Sequence, residues 1–274
     1  MATIAQPIVD RERPPDRLSG TPRAHAVDRW IYVFTAASFI VIALAGFVPS
    51  SLAKIAAVQA GERPPFPLVL HLHAVLMGSF LLLLFAQTTL VAIGKCDVHR
   101  RLGLVAMVLA PALVAVGFIL VPTIYQSVWT AAQAAPPGAR EPLQQLVLRL
   151  DNIMLLQLRI GFLFPLLLLI GLRARGRDAG LHKRMMILAT AMALPAGIDR
   201  IPWLPTTLPG SPLAPDLYVL LAISPMLARD LVRNRSVHRA YWIWLAISLP
   251  FAVVVHGLWD SAWWHATAPQ LMDA

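Results

Sequence analysis

Seven apolar runs, each close to the thickness of a bilayer's hydrocarbon core, leave this chain little choice but to cross a membrane as helices. A spanning helix needs about 20 mostly apolar residues, because at 1.5 Å per residue that length bridges roughly 30 Å. The runs lie near residues 28–48, 67–93, 99–122, 145–172, 182–202, 216–233 and 239–260. Within hydrocarbon every peptide group must be satisfied by the protein itself, and a helix does this within one segment. The expected fold is therefore all-α: a polytopic membrane bundle of seven transmembrane helices over residues 28–265. Composition agrees, with 58% hydrophobic and only 14% charged residues and a mean hydropathy of +0.66. A soluble domain carries about a quarter charged residues.

The turns between runs set an orientation. Val98-His99-Arg100-Arg101, Leu181-His182-Lys183-Arg184 and Val237-His238-Arg239 each follow a short basic turn and each open an apolar run. The turns 94–101, 173–184 and 229–239 carry most of the Lys and Arg; the alternate loops 49–66, 123–144 and 203–215 carry only Lys54, Arg63 and Arg140. Basic residues accumulate on the cytoplasmic side. The N-terminus is thus expected inside and the C-terminus outside, in a bacterial cytoplasmic membrane, with residues 266–274 a short outer tail. Residues 1–27, rich in Arg and Pro, lack the apolar core of a signal peptide and read as a disordered cytoplasmic tail. The net charge of +9 sits in these turns, which suits topogenesis and not nucleic acid. One cysteine, Cys96, excludes an intrachain disulfide or a thiolate cluster. Pro111, Pro165, Pro195, Pro225 and Pro250 read as kinks, and Pro195 stands out because Asp199 and Arg200 follow it closely.

Measured from the basic turns at 1.5 Å per residue, polar residues of four runs reach a common depth. His73, Asp151 with Asn152, His256, Asp199 and Asp260 all come out roughly 25–32 Å away, at the far boundary of the hydrocarbon. His71 and His73 cannot both face the bundle centre, and His73 is the inward one. His256 and Asp260, four apart, share a helix face and suit a metal or a His–Asp pair. Arg159 lies about 20 Å from either end of its run, where a charge must be paired or hydrated. Its expected partner is Asp199; the alternative is a cavity holding an anionic group such as a haem propionate. His99, His182 and His238 are expected as helix-start residues at the near boundary, with Gln87 close enough to bond one of them.

Several of these residues resemble a family of bacterial multi-pass membrane proteins of unknown function. Its pattern is a His early in one helix, a Gln later, His-Arg-x-x-Gly opening the next, a His-[Arg/Lys]-x-Met segment, and an Arg near the end of that helix. Here His73, Gln87, His99-Arg100-Arg101-Leu102-Gly103, His182-Lys183-Arg184-Met185 and Arg200 match, across roughly residues 68–202. The family is distantly similar to four-helix b-type haem proteins of the cytochrome b561 kind, which implies bis-histidine haem. The chain departs from that pattern in lacking two regularly spaced His pairs deep in four helices.

Three readings follow. The first is a redox protein with one haem b near the outer face, ligated by His73 and His256. In it Arg159 or Arg200 holds a propionate, and quinone or a membrane subunit is the electron partner. The second is a zinc-dependent membrane hydrolase of the ceramidase kind. Its metal would sit on His73, His256 and Asp260, with Asp151 or Asp199 as general base. The third is a transporter or accessory subunit without a cofactor.

Overall fold

A computed structural model describes residues 26–273 and is built from helices. They are α1 (Ala26–Gln59), α2 (Leu68–Ala92), α3 (Cys96–Ala134), α4 (Pro137–Ala174), α5 (Ala179–Ala191), α6 (Pro195–Ile198), α7 (Leu213–Asn234), α8 (Arg239–Leu258) and α9 (Ala262–Leu271). Five of them, α1 to α4 and α8, are long and apolar enough to cross a membrane. Even in α4, the most enclosed, only 44% of the apolar window is buried inside the protein. Leu68, Val75, Val108 and Val253 point outward. So much outward apolar surface calls for lipid around the bundle. Nearly all of the expected tail, residues 1–25, lies outside the described residues.

The remaining two expected crossings look different. Residues 182–202 do not form one helix. The α-helical bonding of α5 gives way to tight turns at Met192, Ala193 and Leu194, whose N–H groups donate to Ala189, Thr190 and Ala191. Pro195 explains this, since its ring excludes an i−4 carbonyl and offers no N–H. Helix α5 is also enclosed by protein: Met185, Ile187, Leu188, Ala189 and Ala191 are fully buried. Helix α7 carries Asp216 near its start and Arg229, Asp230 and Arg233 near its end, which limits its apolar stretch.

Helices also outrun their apolar segments. Helix α1 continues through Pro49 to Gln59, and α3 and α4 almost meet at Ala135 and Pro136, where a loop over 123–144 was expected. Ala, Gln, Leu and Arg in these stretches are good helix formers, so hydropathy ends before the helix does. The protruding α3–α4 hairpin supports a second small core of Tyr125, Val147, Met154, Trp264 and Ala268. Residues 262–271, taken from sequence as the end of the bundle and a tail, are the helix α9 that completes it.

The basic turns gather at one end, where Arg239 meets Asp178, Arg184 meets Asp230 and the His99 ring meets that of His182. There Gly94 closes α2: it has φ +80°, and the N–H groups of Gly94 and Lys95 donate to Val91 and Leu90 at 3.1 and 2.8 Å. This is a Schellman closure, which needs a left-handed residue at that position. Asp178 caps α5 by accepting from the Leu181 N–H at 2.8 Å, and Arg239 bonds its other oxygen. The fully buried Arg184 donates to both oxygens of Asp230 (2.6 and 2.9 Å) and to the Gly180 carbonyl, and Tyr241 donates to Asp230. Asp28 of α1 accepts from Arg229 of α7.

At the other end α1 meets α6. A Cβ on Gly46 would lie 2.0 Å from the Gly197 carbonyl oxygen, so only glycine fits. Such close backbone approach is how small residues pack helices in lipid.

Removing one partner of a buried ion pair costs about 3–5 kcal/mol, and losing an exposed N-cap about 1 kcal/mol. Asp230→Ala is therefore expected to depress the melting temperature in detergent far more than Asp178→Ala. Gly46→Ala, whose Cβ would lie 2.0 Å from a backbone oxygen, is expected to cost about 3 kcal/mol or more and so to rank with Asp230→Ala.

Candidate functional site

Polar side chains collect in two places. At the basic end, His99 and His182 each occupy the fourth position of their helices, α3 and α5. Each ring is tied by Nδ1 to a carbonyl of the preceding helix: His99 to Gln87 at 3.3 Å, His182 to Gly171 at 2.8 Å. A ring nitrogen facing a carbonyl must be the N–H, so the lone pair lies on Nε2. Among the described residues no hydrogen bond reaches either Nε2. The two ring centres are 6.4 Å apart with planes at 78°. Gly103, one turn beyond His99, makes room for Gln87; a Cβ there would lie 3.3 Å from the amide nitrogen. The Gln87 Oε1 is buried and unbonded. The expected Gln87–His bond thus runs through the Gln87 backbone, not its side chain.

The third basic-His turn is not equivalent. His238 is the N-cap of α8, its Nδ1 accepting from the Ala240 N–H at 3.1 Å. The three turns are alike in sequence, but only two present an imidazole to each other.

At the opposite end His265 of α9 bridges two carboxylates, Asp151 through Nδ1 at 2.8 Å and Asp260 through Nε2 at 3.1 Å. Tyr125 donates to the other oxygen of Asp151 at 2.7 Å, and Trp264 to its carbonyl at 2.7 Å. Asn152 donates to Asp260 at 3.3 Å and accepts from its N–H at 3.0 Å. The depth reading set Asp151, Asn152 and Asp260 level; Asn152 bonds Asp260 directly, and Asp151 reaches it through His265. That reading missed His265, whose only signal was an imidazole five residues beyond Asp260.

Of the other expected site residues, Arg159 and His256 meet on one carboxylate, Asp216. Arg159 does not pair with Asp199; it forks onto Asp216 at 3.0 and 2.5 Å. Helix α4 protrudes while α7 starts late, so Asp216 in the first turn of α7 reaches the level of Arg159. His256 does not pair with Asp260; its Nε2 meets Asp216 at 3.0 Å. His73 lies against α3, where a Cβ on Gly117 would be 3.9 Å from its Cε1, and its Nδ1 is buried without a partner. Asp199 stands 3.9 Å from Arg149, and Arg200 lies over the Phe47 ring at 5.0 Å. Equal depth fixes height along a helix and says nothing about rotation. Among the described residues no three His, Cys, Asp or Glu side chains are arranged to hold a metal ion.

The chain matches no family model, no curated protein and no solved structure.

His265 and Asp260 lie beyond the membrane-length helices. Burial acts to lower the His265 pKa, but its bonds to Asp151 and Asp260 outweigh that and raise it. The Asp260 pKa is lowered, first by the His265 bond and then by Asn152. A raised imidazole pKa contributes stability in full below its ordinary value of about 6.5, and loses it as pH rises through the shifted value. A lowered carboxylate pKa contributes above about 3.9 and loses it as pH falls. Docking of α9 is therefore expected to be tightest in mild acid and to loosen on the alkaline side. Amide exchange of residues 262–271, corrected for intrinsic rate, should accelerate from pH 6 to pH 9. His265→Gln should exchange fast with no such pH dependence; a wild-type profile flat across that range contradicts the assignment.

Proposed function

We propose that this membrane protein carries one b-type haem between His99 and His182, at the end where the basic turns gather, and serves in electron transfer. The observation that carries the reading is the pairing of the two imidazoles. Two imidazoles on different helices, each with an Nε2 free among the described residues, would together hold a haem iron, which would supply one-electron chemistry. His99 and His182 are 6.4 Å apart. Their Nδ1 atoms are held by backbone carbonyls, the arrangement that fixes the tautomer of ligating histidines. The donor set suits haem, with two neutral imidazoles on different helices. Arg175 lies within electrostatic reach of His182 and would supply counter-charge for a propionate, whereas Arg100 beside His99 is paired with Asp97. When bound, such a group exchanges single electrons. This chain's part is to hold the rings and exclude water, with a quinone or a partner subunit as the other member of the couple.

The ligands originally expected, His73 and His256, suit haem less well, because the His256 Nε2 is already taken by Asp216. The zinc set with Asp260 is weakened in the same way, since Asp260 is held by Asn152 and His265.

In topology the reading is a seven-pass protein of the bacterial cytoplasmic membrane. The N-terminus is inside and the C-terminus outside, with α5–α6 as one broken crossing and α7 as another. The charge asymmetry of the turns supports it. The His99–His182 pair then lies toward the cytoplasm.

The test is a reduced-minus-oxidised spectrum of the detergent-purified protein, with iron and zinc measured on the same sample. A Soret band and about one iron per chain are expected, lost in His99→Ala or His182→Ala and kept in His73→Ala and His256→Ala. Loss in the latter pair alone returns the haem to the other face. A colourless protein with stoichiometric zinc overturns the reading.

A further inference from the structure

Away from the basic turns, at the opposite end of the bundle, four cations converge from four segments. They are Lys54 late in α1, Arg63 in the turn after it, Arg149 of α4, and Arg200 just beyond α6. Lys54 lies within electrostatic range of the other three, and Arg200 within range of Arg149. The carboxylate acting on this group is Asp199, 3.9 Å from Arg149. Arg63 rests on the Phe66 ring at 4.7 Å, and its buried Nε has no partner. Arg200 stacks on Phe47 and donates to the Ala196 carbonyl. Arg63 and Arg200 are thus braced by rings and backbone, and the single carboxylate Asp199 acts on Lys54, Arg149 and Arg200 together, leaving the group with a surplus of positive charge.

Two facts make this more than a solvated face. Basic residues are scarce in the loops on this side, only Lys54, Arg63 and Arg140, and two of those three join the cluster. Close by, Gly46 packs so tightly on the Gly197 carbonyl that a Cβ would lie 2.0 Å from it, which sets α6 and the following Arg200 against α1. Beside it, Arg149 lines a cleft of about 500 Å³ with Gln145, Asn152, Asp260 and Gly210. Asp260 is already bonded by His265 and Asn152. Gathering like charges costs free energy unless an anion offsets it.

We propose that Lys54, Arg63, Arg149 and Arg200 form a binding site for a phosphate group at this end of the bundle. Forked guanidiniums match phosphate oxygens, and a lysine adds a point charge. The phosphate belongs to a lipid headgroup or to a soluble phosphate ester. The site is separate from the His99–His182 pair and does not depend on haem.

The experiment uses the full chain in uncharged detergent. Native mass spectrometry and thermal melting are followed while phosphatidylglycerol, or inorganic pyrophosphate, is added. The wild type is expected to bind at least one of them and to melt higher. In the double variant Lys54→Gln/Arg149→Gln affinity is expected to fall about tenfold or more, the scale of losing two charge-assisted contacts. Helix content and gel-filtration position show that this variant folds, and Arg101→Gln/Arg173→Gln at the other end should bind like wild type. Retention of phosphatidylglycerol alone assigns a lipid headgroup, and retention of pyrophosphate a soluble ligand. Absence of both, or equal binding by both double variants, overturns the proposal.

Discussion

The Arg184–Asp230 ion pair is the contact on which the rest of the bundle turns. A guanidinium shut away from water is tolerated only when its charge is paired and each of its nitrogens finds an acceptor. Here Asp230 of α7 answers two, the Gly180 carbonyl a third, and Tyr241 of α8 shares the carboxylate. Tyr32 of α1 adds its ring face to Lys183 and Arg184 at 5.1 and 6.0 Å. Three helices, α1, α7 and α8, are thereby locked to the start of α5. His182 sits two residues before Arg184 and one residue after the capped turn, so its ring has little freedom left. The structural pair and the candidate ligand are parts of one arrangement.

The two ends of the molecule are built differently. At the basic end, turns are short, helices are capped, and ion pairs join α1 to α7 and α5 to α7 and α8. At the other end the helices protrude by unequal amounts. The space between them is filled by α9, by the segment between α6 and α7, and by hydrogen bonds such as Trp259 to the Pro209 carbonyl at 2.9 Å. That irregular end carries the cleft and the exposed polar groups. A membrane protein meets water there, and it can leave charged groups open to a ligand at lower cost than in hydrocarbon.

Much of this was legible in the sequence. Hydropathy marked α1 to α4 and α8, the five helices long and apolar enough to cross a membrane. What it misjudged were the ends themselves, because helix formers such as Ala and Gln carry α3 and α4 well past the apolar run. The break at Pro195 was visible as a proline, but its effect on α5 depended on burial by neighbours. The site was harder to see. Depth along a helix brought Asn152 to Asp260, yet paired Arg159 with Asp199 instead of Asp216, because the ruler assumes that helices start level and carries no rotation. His99 and His182 read as turn residues because they are near helix starts. Their meeting depends on α3 and α5 flanking α4, which no local pattern encodes.

Electron paramagnetic resonance of the oxidised, detergent-purified protein at low temperature tests the central claim most directly. Were His99 and His182 both to hold a ferric haem iron, their two imidazole nitrogens would give a low-spin signal. The account predicts that signal at about one spin per chain, abolished or converted to high spin in His182→Ala. A protein that binds haem yet gives a high-spin signal in the wild type, or a low-spin signal untouched by loss of His99 and His182, contradicts it.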